Sequence, residues 1–171
     1  YYPVMKSVEW KMTATSSSIA SDWYAVNFGE SGWSAVTLGS VTTPATGSQY
    51  FRKSFAGIAN MAAYEVELNY KFGMILYVNG VEVFRDHMAD GAVTATTPSN
   101  GAFTEYEYHG VIRPAKEIEA SSVLAVELHF PTTGENDVAF DAYVASLASS
   151  TPVGDAETCF IYPYAVTLSS T

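Results

Sequence analysis

Positive charge is scarce in this sequence. Its 171 residues carry 8 Lys and Arg against 18 Asp and Glu, a formal charge of −10. That balance argues against nucleic acid or anionic lipid held by general electrostatic attraction; the acids read as a solvated surface. Cysteine is nearly absent. Cys159 stands alone, so no disulfide forms within the chain. Its setting, Thr158-Cys159-Phe160-Ile161-Tyr162, reads as a strand carrying a small buried thiol, the alternatives being a reactive group or a link between chains. No apolar run approaches the ~18 residues a membrane-spanning helix needs, and no basic leader followed by an apolar stretch opens the chain. Beginning on Tyr1-Tyr2-Pro3, the chain reads as a processed mature form or a piece of something longer.

Catalytic signatures are lacking as well. Gly-x-Ser-x-Gly, His-Glu-x-x-His, a Walker loop and a dinucleotide fingerprint are all missing. His87, His109 and His129 are scattered, with no pair at metal-ligand spacing. Glu65/Glu67 and Glu105/Glu107 each fall on one strand face. Such pairs flank the scissile bond in glycosidases, but a solvated strand face is the plainer reading. The expectation is a protein that is not an enzyme.

What the chain does have is aromatic side chains: 12 Tyr, 9 Phe and 3 Trp within a hydrophobic fraction of 48 %. Aromatic and β-branched residues suit a pleated, half-buried surface. The stretch around which the rest is organised runs from Ala63 to Arg85. Tyr64, Val66, Leu68 and Tyr70 alternate with Glu65, Glu67 and Asn69, the period of two that a strand with one buried face requires. Met74–Val78 then runs through Asn79-Gly80 into Val81–Phe84. Asn-Gly between β-rich runs predicts a hairpin on a type I′ turn, with positive φ at both central residues.

Elsewhere the pattern predicts a first strand over 4–12, with Val8 and Trp10 on one face, and a strand over 49–55 burying Tyr50 or Phe51 together with Phe55. Ser122–Phe130 directs Leu124, Val126, Leu128 and Phe130 one way, Glu127 and His129 the other. Residues 138–147 place Val138, Phe140, Ala142 and Val144 inward, Asp141 and Tyr143 outward. Phe103–His109 is strand-like without a clear inner face. Val111–Ile118 reads as irregular, because Pro114 limits any helix to about a turn. A last strand over 159–168 is kinked at Pro163, after a linker-like stretch from Ala148 to Glu157. Between these lie a long aromatic loop, Asp22–Leu38, and a Gly/Thr/Pro-rich excursion, Asp86–Ala102. A loop with so many large rings folds back as a plug over the core or forms a binding face, the plug being the plainer reading. Eight to ten strands and no convincing helix predict an all-β fold of two packed antiparallel sheets in a single domain, 1–171.

These residues resemble a known family. Trp23 through Trp33, Leu38-Gly39, Tyr50–Phe55, Gly73–Val83 with Arg85, Val123–His129 and Asp137–Asp141 follow the order of the galactose-binding-domain-like jelly rolls of extracellular proteins, over roughly Val8 to Leu147. The resemblance implies a secreted jelly-roll β-sandwich. Carbohydrate-binding modules, ancillary domains of glycosidases and adhesive modules all share that fold, which does not choose among them. The chain departs from the pattern before Gly73, where members often carry two aspartates and Lys71-Phe72 stands here. The resemblance also implies a structural calcium ion near one edge, for which Glu135, Asp137 and Asp141 are the acids to consider.

Two functions of different class follow as expectations. Sugar binding would use flat aromatic faces with polar groups forking onto hydroxyls. Trp23, Tyr24, Trp33, Tyr106 and Tyr108 are its candidates, with Arg85 and Asn100 as polar partners. The other rests on the ends. Tyr1, Tyr2, Val4 and Phe160, Tyr162, Tyr164, Val166 are aromatic or β-prone and make poor free tails. They read as strands that complete a sheet edge, in their own domain or in a neighbouring copy. The leading expectation is a non-catalytic extracellular structural or adhesive subunit, assembling with copies of itself through those strands into a fibre or surface array. Its alternative is a carbohydrate-binding module.

Overall fold

Alternating side chains need a second layer to cover them, and the chain supplies two. The computed structural model describes residues 1–39, 47–135 and 138–147, and the backbone of the strand at 160–162. The strands are β1 (Glu9–Thr15), β2 (Ser34–Thr37), β3 (Ser48–Ala56), β4 (Ala63–Tyr70), β5 (Gly73–Val78), β6 (Val81–Asp86), β7 (Glu107–Pro114), β8 (Ser121–His129), β9 (Asp141–Leu147) and β10 (Phe160–Tyr162). One sheet has the order β2-β1-β3-β8-β5-β6 and the other β10-β7-β4-β9, with antiparallel pairing throughout. The chain crosses between the sheets at β3–β4, β4–β5, β6–β7, β7–β8 and β8–β9, the wrapping of a jelly-roll β-sandwich.

The core lies between the sheets. Tyr64, Val66, Leu68 and Tyr70 of β4 face Phe51, Phe55, Leu76, Leu124 and Val126, as the alternation requires. Phe140 closes one side, 4.6 Å from Phe51 and 6.1 Å from Trp10 between ring centroids. The β5–β6 hairpin turns at Asn79 (φ 49°) and Gly80 (φ 83°), the left-handed pair that Asn-Gly tolerates.

Three expectations need correction. The first strand is not 4–12. Val4 bridges Val144 in the four-stranded sheet, the chain turns at Ser7 (φ 52°), and β1 then starts in the other sheet at Glu9. The Asp141 carboxylate fixes that turn by accepting the Ser7 N–H at 3.0 Å; Asp141 is on the outer face, as expected, but is covered there. Val111–Pro114 is not irregular. It completes β7 against Ala63–Val66, and Pro114 sits at the strand end, ahead of a single 3₁₀ turn at Ala115–Glu117. The strand predicted from Val138 begins at Asp141, although Val138 and Phe140 point inward as expected.

Both ends pair within the chain. The Tyr1 and Val4 carbonyls accept the Ser146 and Val144 N–H groups at 2.9 Å each, along the free side of β9. Phe160, Ile161 and Tyr162 ladder onto Ile112, Val111 and Gly110 of β7. Tyr164, Val166, Cys159 and the 148–157 stretch lie outside the described residues.

Candidate functional site

Strands β3, β8 and β5 are buried on both faces, because loops cover the side of the six-stranded sheet that looks away from the core. Tyr50, Ile75, Tyr77 and Ala125 form a second apolar cluster there with Trp23, Met88 and Ala95. Trp23, 3 % exposed, is the centre of it. Its ring meets Tyr50, Tyr77 and Tyr24 edge-on at 4.9, 5.5 and 5.6 Å, and Trp33 lies stacked behind it at 6.3 Å. Tyr24 stacks on Tyr77 at 4.4 Å and 5°. The aromatic loop is therefore a plug, over the outer face of the sheet rather than over the core between the sheets.

Arg52 holds that plug down. It is buried, donating Nη1 to the Trp23 carbonyl at 2.7 Å and Nε to Glu30 at 3.0 Å, with its guanidinium 5.3 Å from the Phe28 ring. On the opposite wall the Ser48 hydroxyl donates to the Ala95 carbonyl at 2.8 Å, and His129 Nδ1 lies 2.8 Å from the Thr97 carbonyl. A carbonyl only accepts, so Nδ1 carries the hydrogen. A carboxylate likewise only accepts, so His129 Nε2 donates to Glu127 Oε2 at 3.1 Å, while Tyr77 donates its hydroxyl to Glu127 Oε1 at 2.7 Å. Burial first, and the Glu127 charge second, push Tyr50 up to about 12 and raise Tyr77 further. Both phenols stay protonated as donors at neutral pH.

Ser48, His129 and Glu127 are the residue types of an acyl-transfer triad, yet they are not arranged as one. The Ser48 proton points at a carbonyl, the nearby imidazole nitrogen is itself a donor, and Ser48 is 1 % exposed. No base addresses the hydroxyl. The three residues anchor the 94–97 segment.

Between the two loops lies an open groove of about 630 Å³. Tyr50, Tyr77 and Glu127 form its floor, Trp23 and Tyr24 one wall, and residues 91–95 the other. Glu82 and Arg85 of β6 stand at its end, where it adjoins a more open hollow bordered by Asp86 and Asp90. Arg85 gives Nε and Nη2 to both oxygens of Glu82 (2.8 and 2.9 Å) and Nη1 to the Ala89 and Gly91 carbonyls (2.6 and 2.9 Å). It thereby fixes the rim loop. Aromatic floor, polar rim and concave shape suit a small polar ligand with apolar faces.

The structure brings together Trp23, Tyr24 and Arg85 from the predicted sugar set, with Trp33 supporting Trp23 from behind. It separates the others. Asn100 donates its N–H to the His87 carbonyl at another rim, and Tyr106 lies edge-on to Phe72. Tyr108 is on the outer face of the four-stranded sheet, its hydroxyl donated to Asp141 at 2.7 Å and its ring 4.0 Å beneath Lys6 Nζ. Tyr50, Tyr77 and Glu127 are the groove residues that sequence reasoning missed. Their signal was present in the alternation, since each sits opposite a core residue on its strand.

The implied calcium set is described only in part. Asp141 accepts from the Ser7 and Ala142 N–H groups and from Tyr108. Glu135 is half-buried, and Asp137 lies outside the described residues. Among the described residues no three His, Cys, Asp or Glu side chains are placed to share an ion. On the outer face of the four-stranded sheet, Glu65 and Glu67 converge on Gly110, whose missing side chain leaves room for both carboxylates. Burial raises the pKa of each; for Glu67 the Glu65 charge adds to this and Lys6 opposes it.

Neither a family profile nor a curated protein sequence matches the chain. Solved structures do resemble it. A β-glucuronidase of Bacteroides uniformis superposes with a TM-score of 0.57 at 12 % identity, over 86 % of this chain and 18 % of that one. A β-glycosidase of Bacteroides vulgatus gives 0.53 at 12 %, over 85 % and 20 %. A β-glucuronidase of Ruminococcus gnavus gives 0.52 at 12 %, over 84 % and 29 %. The chain thus spans about a fifth to three-tenths of the length of these enzymes, and what it shares with them is a β-sandwich fold.

Proposed function

We propose that this chain is a non-catalytic, secreted carbohydrate-binding module that holds a glycan in the groove on the outer face of its six-stranded sheet. The observation that carries this reading is the groove itself, where Trp23, Tyr24, Tyr50 and Tyr77 converge beside Glu127 and Glu82. A pyranose has an apolar face for such rings and hydroxyls for such acceptors. The shared fold with one part of several glycosidases supports the reading. Glycan-array binding of the whole chain tests it, repeated with Tyr24→Ala. Tyr24 is half-buried, so its removal should leave the fold intact and weaken binding by about tenfold, the order expected of one stacked ring. Binding that ignores this change, or no binding at all, would overturn the site.

The structural, self-assembling reading keeps one supporting observation. Tyr1, Tyr2 and Met5 are 82, 58 and 64 % exposed on a segment whose backbone is already paired. Contact between copies would then use these side chains rather than exchanged strands. Polymers of the whole chain by negative-stain imaging would favour it over the groove.

A further inference from the structure

We infer that the groove accepts uncharged or amine-bearing sugars and refuses glycans that carry carboxylates, an inference that rests on the carbohydrate-binding reading above. The charged side chains on its lining are Glu82, Arg85 and Glu127. Recognition of a carboxylate needs a cation with a free pair of donors, because a monodentate or already shared guanidinium loses most of its advantage. Arg85 has no such pair. Glu82 takes Nε and Nη2, and two backbone carbonyls take Nη1, leaving a single Nη2 hydrogen. Arg52 is buried beneath the plug and off the groove lining, with Nε on Glu30 and Nη1 on the Trp23 carbonyl.

Glu127 sits in the floor at 3 % exposure, its carboxylate shared between the Tyr77 hydroxyl (2.7 Å) and His129 Nε2 (3.1 Å). Next to Glu82 the adjoining hollow adds Asp86 and Asp90. An anionic sugar in this groove would meet carboxylates with no unpaired cation to offset them. An ammonium would meet the same carboxylates beside the half-buried Tyr24 ring, whose face attracts cations. Neutral sugars pay neither penalty.

A glycan array holding neutral, amine-bearing and uronate-bearing oligosaccharides tests this on the whole chain. Hits confined to the first two classes are expected. Added salt should weaken the amine-bearing hits and leave the neutral ones unchanged, because only the former depend on charge. A second arm uses Glu82→Gln, checked for folding by near-UV circular dichroism. It releases the Arg85 fork and should raise uronate binding by about tenfold or more. Uronate glycans among the strongest ligands of the unaltered chain would overturn the inference while leaving the groove as a sugar site. An unchanged refusal of uronates by Glu82→Gln would overturn it too. Absence of binding to every class would remove the carbohydrate reading and this inference with it.

Discussion

Asn79 shows how much one side chain can hold. Its backbone takes the left-handed conformation of the β5–β6 turn, and its amide ties that turn to the start of β8. Nδ2 donates to the Glu117 carbonyl (2.8 Å) and Ser122 Oγ (3.1 Å), and Oδ1 accepts the Val123 N–H (2.8 Å). Asn79→Ala should therefore cost about 2–3 kcal/mol, from left-handed strain and lost hydrogen bonds together; urea denaturation measures it. The turn was legible in the sequence, but the tether was not, since Glu117 and Ser122 lie some forty residues away. Glu67 supplies a second residue-scale prediction. Its pKa in the folded state is raised, as is that of Glu65, so the folded chain binds protons more tightly than the unfolded one. Stability should rise as the pH falls through the folded pKa toward the ordinary value of 4.5, and be lost as the pH climbs back through that window. Glu67→Gln removes part of this. It should raise the melting temperature at neutral pH and flatten the gain on acidification, read by thermal scans across that range. Alternation placed Glu67 on the outer face correctly. Its burial was not legible, because that comes from neighbours on β7 and β9.

At the scale of elements, the aromatic loop and the strand beneath it depend on each other. The loop has no ladder of its own through residues 16–33, and Arg52 of β3 supplies its main polar anchor. Arg52→Met keeps the volume but leaves the Trp23 carbonyl and Glu30 without that partner. Hydrogen exchange of the 20–33 amides should speed up by about tenfold or more, with the core strands unaffected, because the loop opens locally before the sandwich does. Sequence composition marked the loop as plug or binding face, and the structure makes it both a cover and a groove wall. The reverse holds for β7. Residues 111–118 read as irregular because of Pro114, yet Gly110 and Pro114 sit where the ladder accepts them. Gly110 leaves space for the two glutamates, and Pro114 occupies a strand end, where a missing N–H is tolerated.

For the molecule as a whole, the ends decide how the four-stranded sheet meets its surroundings. Residues 1–4 lie along β9 and β10 lies along β7, so each margin has backbone partners within the chain. Such cover suppresses edge-to-edge pairing. Removing residues 1–4 should lower stability by about 1–3 kcal/mol through loss of buried Val4 and its bridge. It should also shift the chain toward oligomers relative to the intact chain in size-exclusion chromatography. The β-prone termini were legible; which margin they would choose was not. Sequence alone determined the layers of this protein, because a period of two commits each side chain to one face wherever one face is buried, as Tyr64 through Tyr70 show. It also determined the hairpin, because Asn-Gly is the rare pair that tolerates that turn. Only the tertiary structure decided that the second face of β3, β5 and β8 is covered as well, and that Tyr50, Tyr77 and Glu127 meet Trp23 and Tyr24 there. Those residues come from parts of the chain whose separation local periodicity does not encode. Their meeting depends on sheet order and on two loops folding back, which are properties of the whole packing.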